Sequence, residues 1–138
     1  ILGGVEIPYR MGLAGHSDAD VLCHAVINAV LGAMSEGDIG MHFPDTDPRY
    51  RGIASTKMLD TVLRIMRRRH FKLVNVDVTL MAQQPKLAPY YAAMKKNIAR
   101  RFRVAESKIS IKATTTEKLG WAGQGKGMAA TAVVLLRT

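Results

Sequence analysis

From His16 to His24 the chain reads His-Ser-Asp-Ala-Asp-Val-Leu-Cys-His, immediately ahead of a long apolar helical pattern. Two imidazoles and two carboxylates in so short a span concentrate metal-binding and acid/base chemistry at one helix start. Helix initiation accounts for much of the run. Ser17 is a good N-cap, Asp18 and Asp20 fall in the first turn where the helix dipole favours negative charge, and Ser17 with Asp20 approximates a capping box using the shorter acid. Capping leaves His24 unexplained: it follows Asp20 by one helical turn on the same face, so the two side chains could share a ligand or an ion.

Other segments carry chemistry of their own. Thr114-Thr115-Thr116-Glu117-Lys118 sets three hydroxyls, a carboxylate and an ammonium at the end of a predicted strand. Thr and Lys suit phosphate oxygens and Glu117 suits Mg²⁺ as a hard oxygen ligand, while a Thr-rich strand end capping the next turn explains the same residues as well. Gly120-Trp121-Ala122-Gly123-Gln124-Gly125-Lys126-Gly127 nearly spells a P-loop. It fails because Gly127 stands where Ser or Thr should hold Mg²⁺, and a strand pattern follows where a helix is needed. Its glycines can still bring backbone amides to an anion, or simply form a connecting loop. Between Gly37 and Pro48, Asp38, Asp45 and Asp47 could bind sugar hydroxyls or a cation, though each taken singly reads as turn chemistry.

These groups need a scaffold. Val5, Ile7 and Tyr9 alternate as a short strand that Pro8 places at an edge. A helix is predicted from about Asp18 to Met34, apolar around nearly its whole circumference and therefore buried, which obliges His24 to find a partner. The segment from Gly37 to Gly52 is too rich in Asp, Gly and Pro for a regular element, and long ordered loops are usually functional. A second helix, capped by Ser55, runs to about Arg69 with Met58, Leu59, Val62 and Met66 on one face. Leu73 to Ala82 alternates as a strand, Gln84-Pro85-Lys86 is a loop, a third helix begins near Pro89, and Ile109 to Ala113 is a strand. Met128 to Leu136 is apolar on both faces and reads as a central strand. The fold class expected is α/β, an α+β sandwich in one domain spanning 1–138, with a mixed sheet and helices packed on one face.

At 138 residues the chain suits a single domain burying about two thirds of its unfolded surface. No apolar stretch approaches the roughly 18 residues of a membrane span, and no secretory signal opens the chain, so a cytoplasmic or organelle-matrix enzyme is expected. Ile1 stands first in place of Met, as in a fragment, a processed product or one domain of a longer polypeptide. Cys23 reads as a small buried hydrophobe. The net charge of +9 suits anionic ligands. Much of it lies in Arg64, Arg67, Arg68 and Arg69 and in Lys95, Lys96, Arg100, Arg101 and Arg103, which read as solvated helix faces.

Together the His16–Asp20 run with His24, the loop Gly37-Asp38-Ile39-Gly40 through Phe43-Pro44-Asp45-Thr46-Asp47-Pro48, the strand Asn75-Val76-Asp77, the Pro85-Lys86 turn and Lys112-Ala113-Thr114-Thr115-Thr116-Glu117-Lys118-Leu119-Gly120 closely resemble the 2-C-methyl-D-erythritol 2,4-cyclodiphosphate synthase family over essentially the whole chain. The resemblance implies a homotrimer with a site at each subunit interface, converting 4-diphosphocytidyl-2-C-methyl-D-erythritol 2-phosphate to the cyclic diphosphate with loss of CMP. By the same resemblance His24 is a zinc ligand, and His16 and Ser17 contact the methylerythritol phosphate. Asp38 and Gly40 hold the ribose, and Ile39, Phe43, Pro44, Asp45, Thr46 and Asp47 face the substrate, with Asp45 on a methylerythritol hydroxyl. Ala82, Gln83, Gln84, Pro85, Lys86, Leu87 and Ala88 line the cytosine pocket. Glu117 binds Mg²⁺ or Mn²⁺, Thr114, Thr115, Thr116 and Lys118 lie at the diphosphate, and Trp121 and Gln124 border the site. Asp20 is expected to orient an imidazole or a metal ligand.

The chain departs from the family pattern in places. The family's other zinc ligands come from an Asp-x-His motif on a first strand that should precede Ile1. One imidazole holds zinc poorly, since a catalytic site needs about three protein ligands, so this species by itself is expected to bind zinc weakly and to be nearly inactive. Gln124 and Lys126 stand where the family usually has Arg and Glu, in a loop thought to ring the trimer axis and receive an isoprenoid diphosphate. Losing the Arg fork weighs against that ligand. Trp121 in place of the usual Phe narrows the cavity. An inactive trimerising fragment and a basic nucleic-acid-binding module are the alternatives. No recognised nucleic-acid motif supports the second, and no membrane or nucleic-acid partner is expected.

Overall fold

The computed structural model describes residues 1–138, and its elements in chain order are α1 (Val21–Ala33), α2 (Ile39–His42), α3 (Ser55–Arg68), β1 (Lys72–Met81), α4 (Tyr91–Phe102), β2 (Ile109–Thr114), α5 (Gly120–Gly123) and β3 (Ala129–Arg137). The sheet order is β2-β1-β3, with β1 parallel to β2 and antiparallel to β3, so the sheet is mixed as expected. The parallel pair requires a crossover, and α4 supplies it, packing on β2. α1 lies over β3 and against α3, and one contiguous core joins the sheet to the helices.

Alternation decides which way each strand faces. Leu73, Val76, Val78 and Leu80 are buried against the helices, while Asn75, Asp77 and Thr79 face the other way. A register shift between Leu73 and Asn75 takes Val74 off the core face, where simple alternation would have kept it. β3 is an edge strand and not the central one its composition predicts. Its second apolar row is uncovered in the single chain: Val133 is 70% and Leu135 56% exposed, beside Asp77 and Asn75 on the face away from the helices.

Helix starts also differ from expectation, for a common reason. α1 begins at Val21 because its N-cap is Asp20, whose carboxylate accepts from Cys23 N, so neither Ser17 nor the Ser17–Asp20 box starts it. α3 begins at Ser55 without any side-chain cap of its own. Its first amide instead donates to the carboxylate of Asp18, at 3.1 Å. The loop after α1 is less irregular than its composition implies, since Asp38 caps α2 and Asp47 caps a 3₁₀ turn over Pro48–Tyr50. Another 3₁₀ turn, Ala88–Tyr90, leads into α4.

No strand forms over Val5 to Tyr9. Gly3 and Gly4 adopt φ of +56° and +74° in a tight turn, leaving one isolated bridge, Leu2 to Val5. Nor is α1 apolar all round. His24 is half-buried and Asn28, one turn on, is exposed, so a polar stripe runs along the helix.

Candidate active site

One cleft of about 740 Å³ opens beside that polar stripe, walled by His16, Ser17 and His24 on one side and by Ile39, Gly40 and Asp45 on the other. Phe43 and Pro44 also line it, and Phe43 stacks edge-on against Tyr50 with ring centroids 5.3 Å apart. Asn28 on α1 ties the opposite wall down, accepting from Ile39 N at 2.8 Å. The backbone of His16 accepts from Gly52 N at 2.7 Å, and Asp18 N donates to Ile53 O at 3.1 Å, so the run between them is held at both ends.

His24 Nε2 lies 2.9 Å from Ser55 Oγ and 3.2 Å from Ser17 Oγ, and Ser55 Oγ in turn donates to Asp18 Oδ1. A carboxylate only accepts, so Ser55 gives its proton to Asp18 and accepts from Nε2. This assigns the Nε2-protonated tautomer, with the lone pair on Nδ1. Burial pushes His24 below its ordinary pKa despite Asp20 and Asp18 nearby, which keeps the ring neutral. His16 Nε2 donates to Asp47 O at 3.1 Å, fixing that ring's orientation. The side chain of Asp47 is occupied by Arg49, which grips it bidentately and holds its carboxyl below the usual carboxylate range.

Asp20 is not at this cleft. It is fully buried, and its oxygens accept from Gly3 N at 2.9 Å, Gly4 N at 2.8 Å and Cys23 N at 3.0 Å. No hydrogen bond joins it to an imidazole, so its expected role of orienting one is corrected to that of a structural anchor. Asp38 likewise spends Oδ1 on Met41 N. Cys23 is buried, and burial with Asp20 beside it pushes its thiol well above the ordinary range, in keeping with an inert core residue.

A second cleft, of about 660 Å³, lies past the end of β1 and shares no wall residue with the first. The run from Ala82 to Ala88 forms one side and Thr114 with Thr115 another, with Gln84–Pro85 in the cis form. Ala82 N continues the ladder to Thr114 O at 3.0 Å. Just beyond, Glu117 and Lys118 both take left-handed backbone conformations, φ +53° and +64°. Lys118 N donates to Gln83 Oε1 at 3.1 Å, and Thr116 Oγ1 donates to Leu119 O. The Glu117 carboxylate and the Lys118 ammonium have no ion-pair partner. Gln124 and Lys118 border a smaller recess next to the second cleft. Trp121 is exposed and lies over Gly127, while Lys126 reaches the first cleft. Thr46 lines neither main cleft.

Asp18, Ser55, Asn28 and Lys126 are thus site residues that sequence reading did not assign. Asp18 read as first-turn charge and Ser55 as a helix cap, and their contact spans 37 positions. No group of three or more His, Cys, Asp and Glu side chains in this chain is arranged to hold a metal. His24 offers a single lone pair, so the residues present do not make a zinc site. Glu117 differs: its carboxylate is exposed and unpaired next to the Thr114–Thr116 hydroxyls, and a single carboxylate suffices as protein ligand for a hard divalent cation whose other ligands are non-protein oxygens.

The YgbB family model matches residues 1–137. The 2-C-methyl-D-erythritol 2,4-cyclodiphosphate synthase of Halothermothrix orenii is 58% identical over 99% of this chain and 82% of its own length. That of Syntrophotalea carbinolica is 56% identical over 99% and 83%. Among solved structures, the bifunctional IspDF of Campylobacter jejuni superposes with a TM-score of 0.95 at 45% identity, covering 99% of this chain, which spans only 37% of that protein. A CDP-bound 2C-methyl-D-erythritol-2,4-cyclodiphosphate synthase superposes with a TM-score of 0.90 at 37% identity, over 99% of this chain and 89% of that one. With the family model matching nearly the whole chain, identity above 50% to curated relatives and a matching fold, the chain belongs to the YgbB family, that of the 2-C-methyl-D-erythritol 2,4-cyclodiphosphate synthases.

Proposed function

We propose that this chain folds 4-diphosphocytidyl-2-C-methyl-D-erythritol 2-phosphate back on itself and closes it to 2-C-methyl-D-erythritol 2,4-cyclodiphosphate, releasing CMP. The observation that carries this is the pair of unjoined clefts: one presents two imidazoles, Ser17 and Asp45, the other the Ala82–Ala88 backbone beside Thr114 and Thr115, with the Glu117–Lys118 turn just beyond it. A substrate with a sugar phosphate at one end and a cytidine at the other needs both. Clefts that do not meet within one chain meet when copies associate, and the uncovered Val133–Leu135 row of the sheet is the apolar surface for a homotrimer.

In this reading the cytosine lies along the backbone of Ala82 to Ala88, where amides and carbonyls read its edge. Asp38 and Gly40 take the ribose, Asp45 a methylerythritol hydroxyl, and His16 and Ser17 the 2-phosphate. The 2-phosphate is already anionic, so no strong base is required. Lys118 and Thr115 draw charge from the diphosphate, and holding both ends makes the attack intramolecular, which is worth about 7 kcal/mol or more when the geometry is in line. Glu117 would hold a divalent ion, which would supply Lewis-acid charge withdrawal to the diphosphate. Ser55 and Asp18 hold the His24 ring in place at the wall of the first cleft.

Titrating CDP in Mg²⁺ into the chain tests the second cleft. Saturable binding is expected, weakened about tenfold by Lys118→Met, one charge-assisted contact. CMP release from the authentic substrate is expected as well, and Lys118→Met should slow it at least about tenfold. Absent CDP binding, with tight salt-sensitive DNA binding in its place, would overturn the reading.

A further inference from the structure

We propose that the groove between the C-terminal halves of α3 and α4 binds a compact polyphosphate of the inorganic diphosphate or triphosphate class, at a site apart from both clefts. The groove holds about 400 Å³ and is walled by Asp60, Arg64, Arg67, Arg100, Arg101 and Arg103, with no apolar side chain among them. Five guanidinium groups therefore face a single carboxylate.

The protein matches only part of that donor set. Arg101 Nη1 donates to Asp60 Oδ2 at 2.6 Å and to Thr56 O at 3.2 Å, Arg67 Nη2 to Arg101 O at 2.7 Å, and Arg64 Nη2 to Thr61 Oγ1 at 2.9 Å. The guanidinium groups of Arg100 and Arg103 have no hydrogen-bond or ion-pair partner. Arg101 Nε is the one buried side-chain polar atom in the fold without a partner. Basic residues in the last turn of a helix complement its dipole, which accounts for Arg67 on α3 and for Arg100 and Arg101 on α4 one helix at a time. It does not account for both helices turning their arginines into one groove, where like charges oppose one another. Burial, with Arg103 and Arg64 alongside, pushes Arg67 below its ordinary range in keeping with that crowding.

The chemistry of the missing partner follows from the lining. Guanidinium forks match phosphate oxygens bidentately. The lack of apolar walls leaves nothing to stack a base or bury an acyl chain, so the ligand is densely charged and lacks such groups. A recessed pocket with a carboxylate inside favours a small anion over a duplex, which needs a continuous outward line of cations.

The test is calorimetric titration of the chain with inorganic diphosphate and with triphosphate, in saturating CDP so that the nucleotide cleft is filled. Saturable binding is expected, weakened about tenfold or more in an Arg100→Gln/Arg103→Gln double variant, the loss of two charge-assisted contacts. Neither side chain is engaged in the fold, so the variant should melt as the parent does, and Arg100→Lys should restore part of the affinity. Absence of binding, binding unchanged by the double variant, or duplex DNA binding that diphosphate does not displace would each overturn the proposal.

Discussion

A carboxylate out of reach of solvent must be matched by donors, and Asp20 takes three backbone amides, two from the Gly3–Gly4 turn and one from the first turn of α1. Removing it strips a helix cap and leaves buried N–H groups unmatched. Asp20→Ala is therefore expected to lower unfolding free energy by about 3 kcal/mol, measured by urea denaturation. A variant with an unchanged midpoint but abolished CMP release would return Asp20 to the catalytic machinery. In the sequence Asp20 cannot be told from Asp18, because both sit at one helix start. What separates them is the partner each meets after the chain has folded back: Gly3 and Gly4 for one, Ser55 for the other. His24 was legible for its chemistry, since a polar ring on an apolar helix needs a partner, but not for the identity of that partner.

At the scale of elements, the loop that follows β2 works through one contact of backbone on backbone. A methyl group added at Gly123 would collide with the carbonyl carbon of Lys118. Since that atom is main chain, the only relief is to move the Glu117–Lys118 turn, which already takes left-handed backbone conformations. Gly123→Ala should reduce CDP affinity at least about tenfold, the equivalent of about 1.4 kcal/mol of binding, with the melting temperature shifting far less because few buried groups depend on the loop. An unchanged affinity would show that the turn does not position the nucleotide site. Periodicity foresaw β1 and β2 well because one face of each is buried by helices from the same chain. It misplaced β3 because an apolar row reads alike whether a neighbouring strand layer or a second copy covers it, and only the folded chain shows which rows remain open.

For the whole molecule, that open row has consequences for assembly. Val133 and Leu135 lie beside Asn75 and Asp77, with the Lys112–Asp77 ion pair on the same face, a mixture suited to a symmetric contact with a wet rim. Val133→Asp with Leu135→Asp should convert the proposed homotrimer to monomers in sedimentation equilibrium while leaving far-UV circular dichroism unchanged, because neither side chain enters the core of the single chain. A trimer that survives both substitutions would place the contact elsewhere. CMP release should vanish together with the trimer if each site draws its clefts from two copies.

The turn at Gly3–Gly4 has a consequence in time as well as in space. Its amides are held by Asp20 at the start of α1, its carbonyl accepts from Asn97 on α4, and Leu2 is buried. Every one of those partners is distant in sequence, up to 94 positions away, so the turn gains nothing by arriving before α1 and α4 have met. It is a latch set late in folding. Weakening it should therefore leave the refolding rate nearly as it was and appear as faster unfolding. Opening near the first residues, detected by hydrogen exchange at Gly3 and Gly4, would then be the protein's earliest departure from its native state.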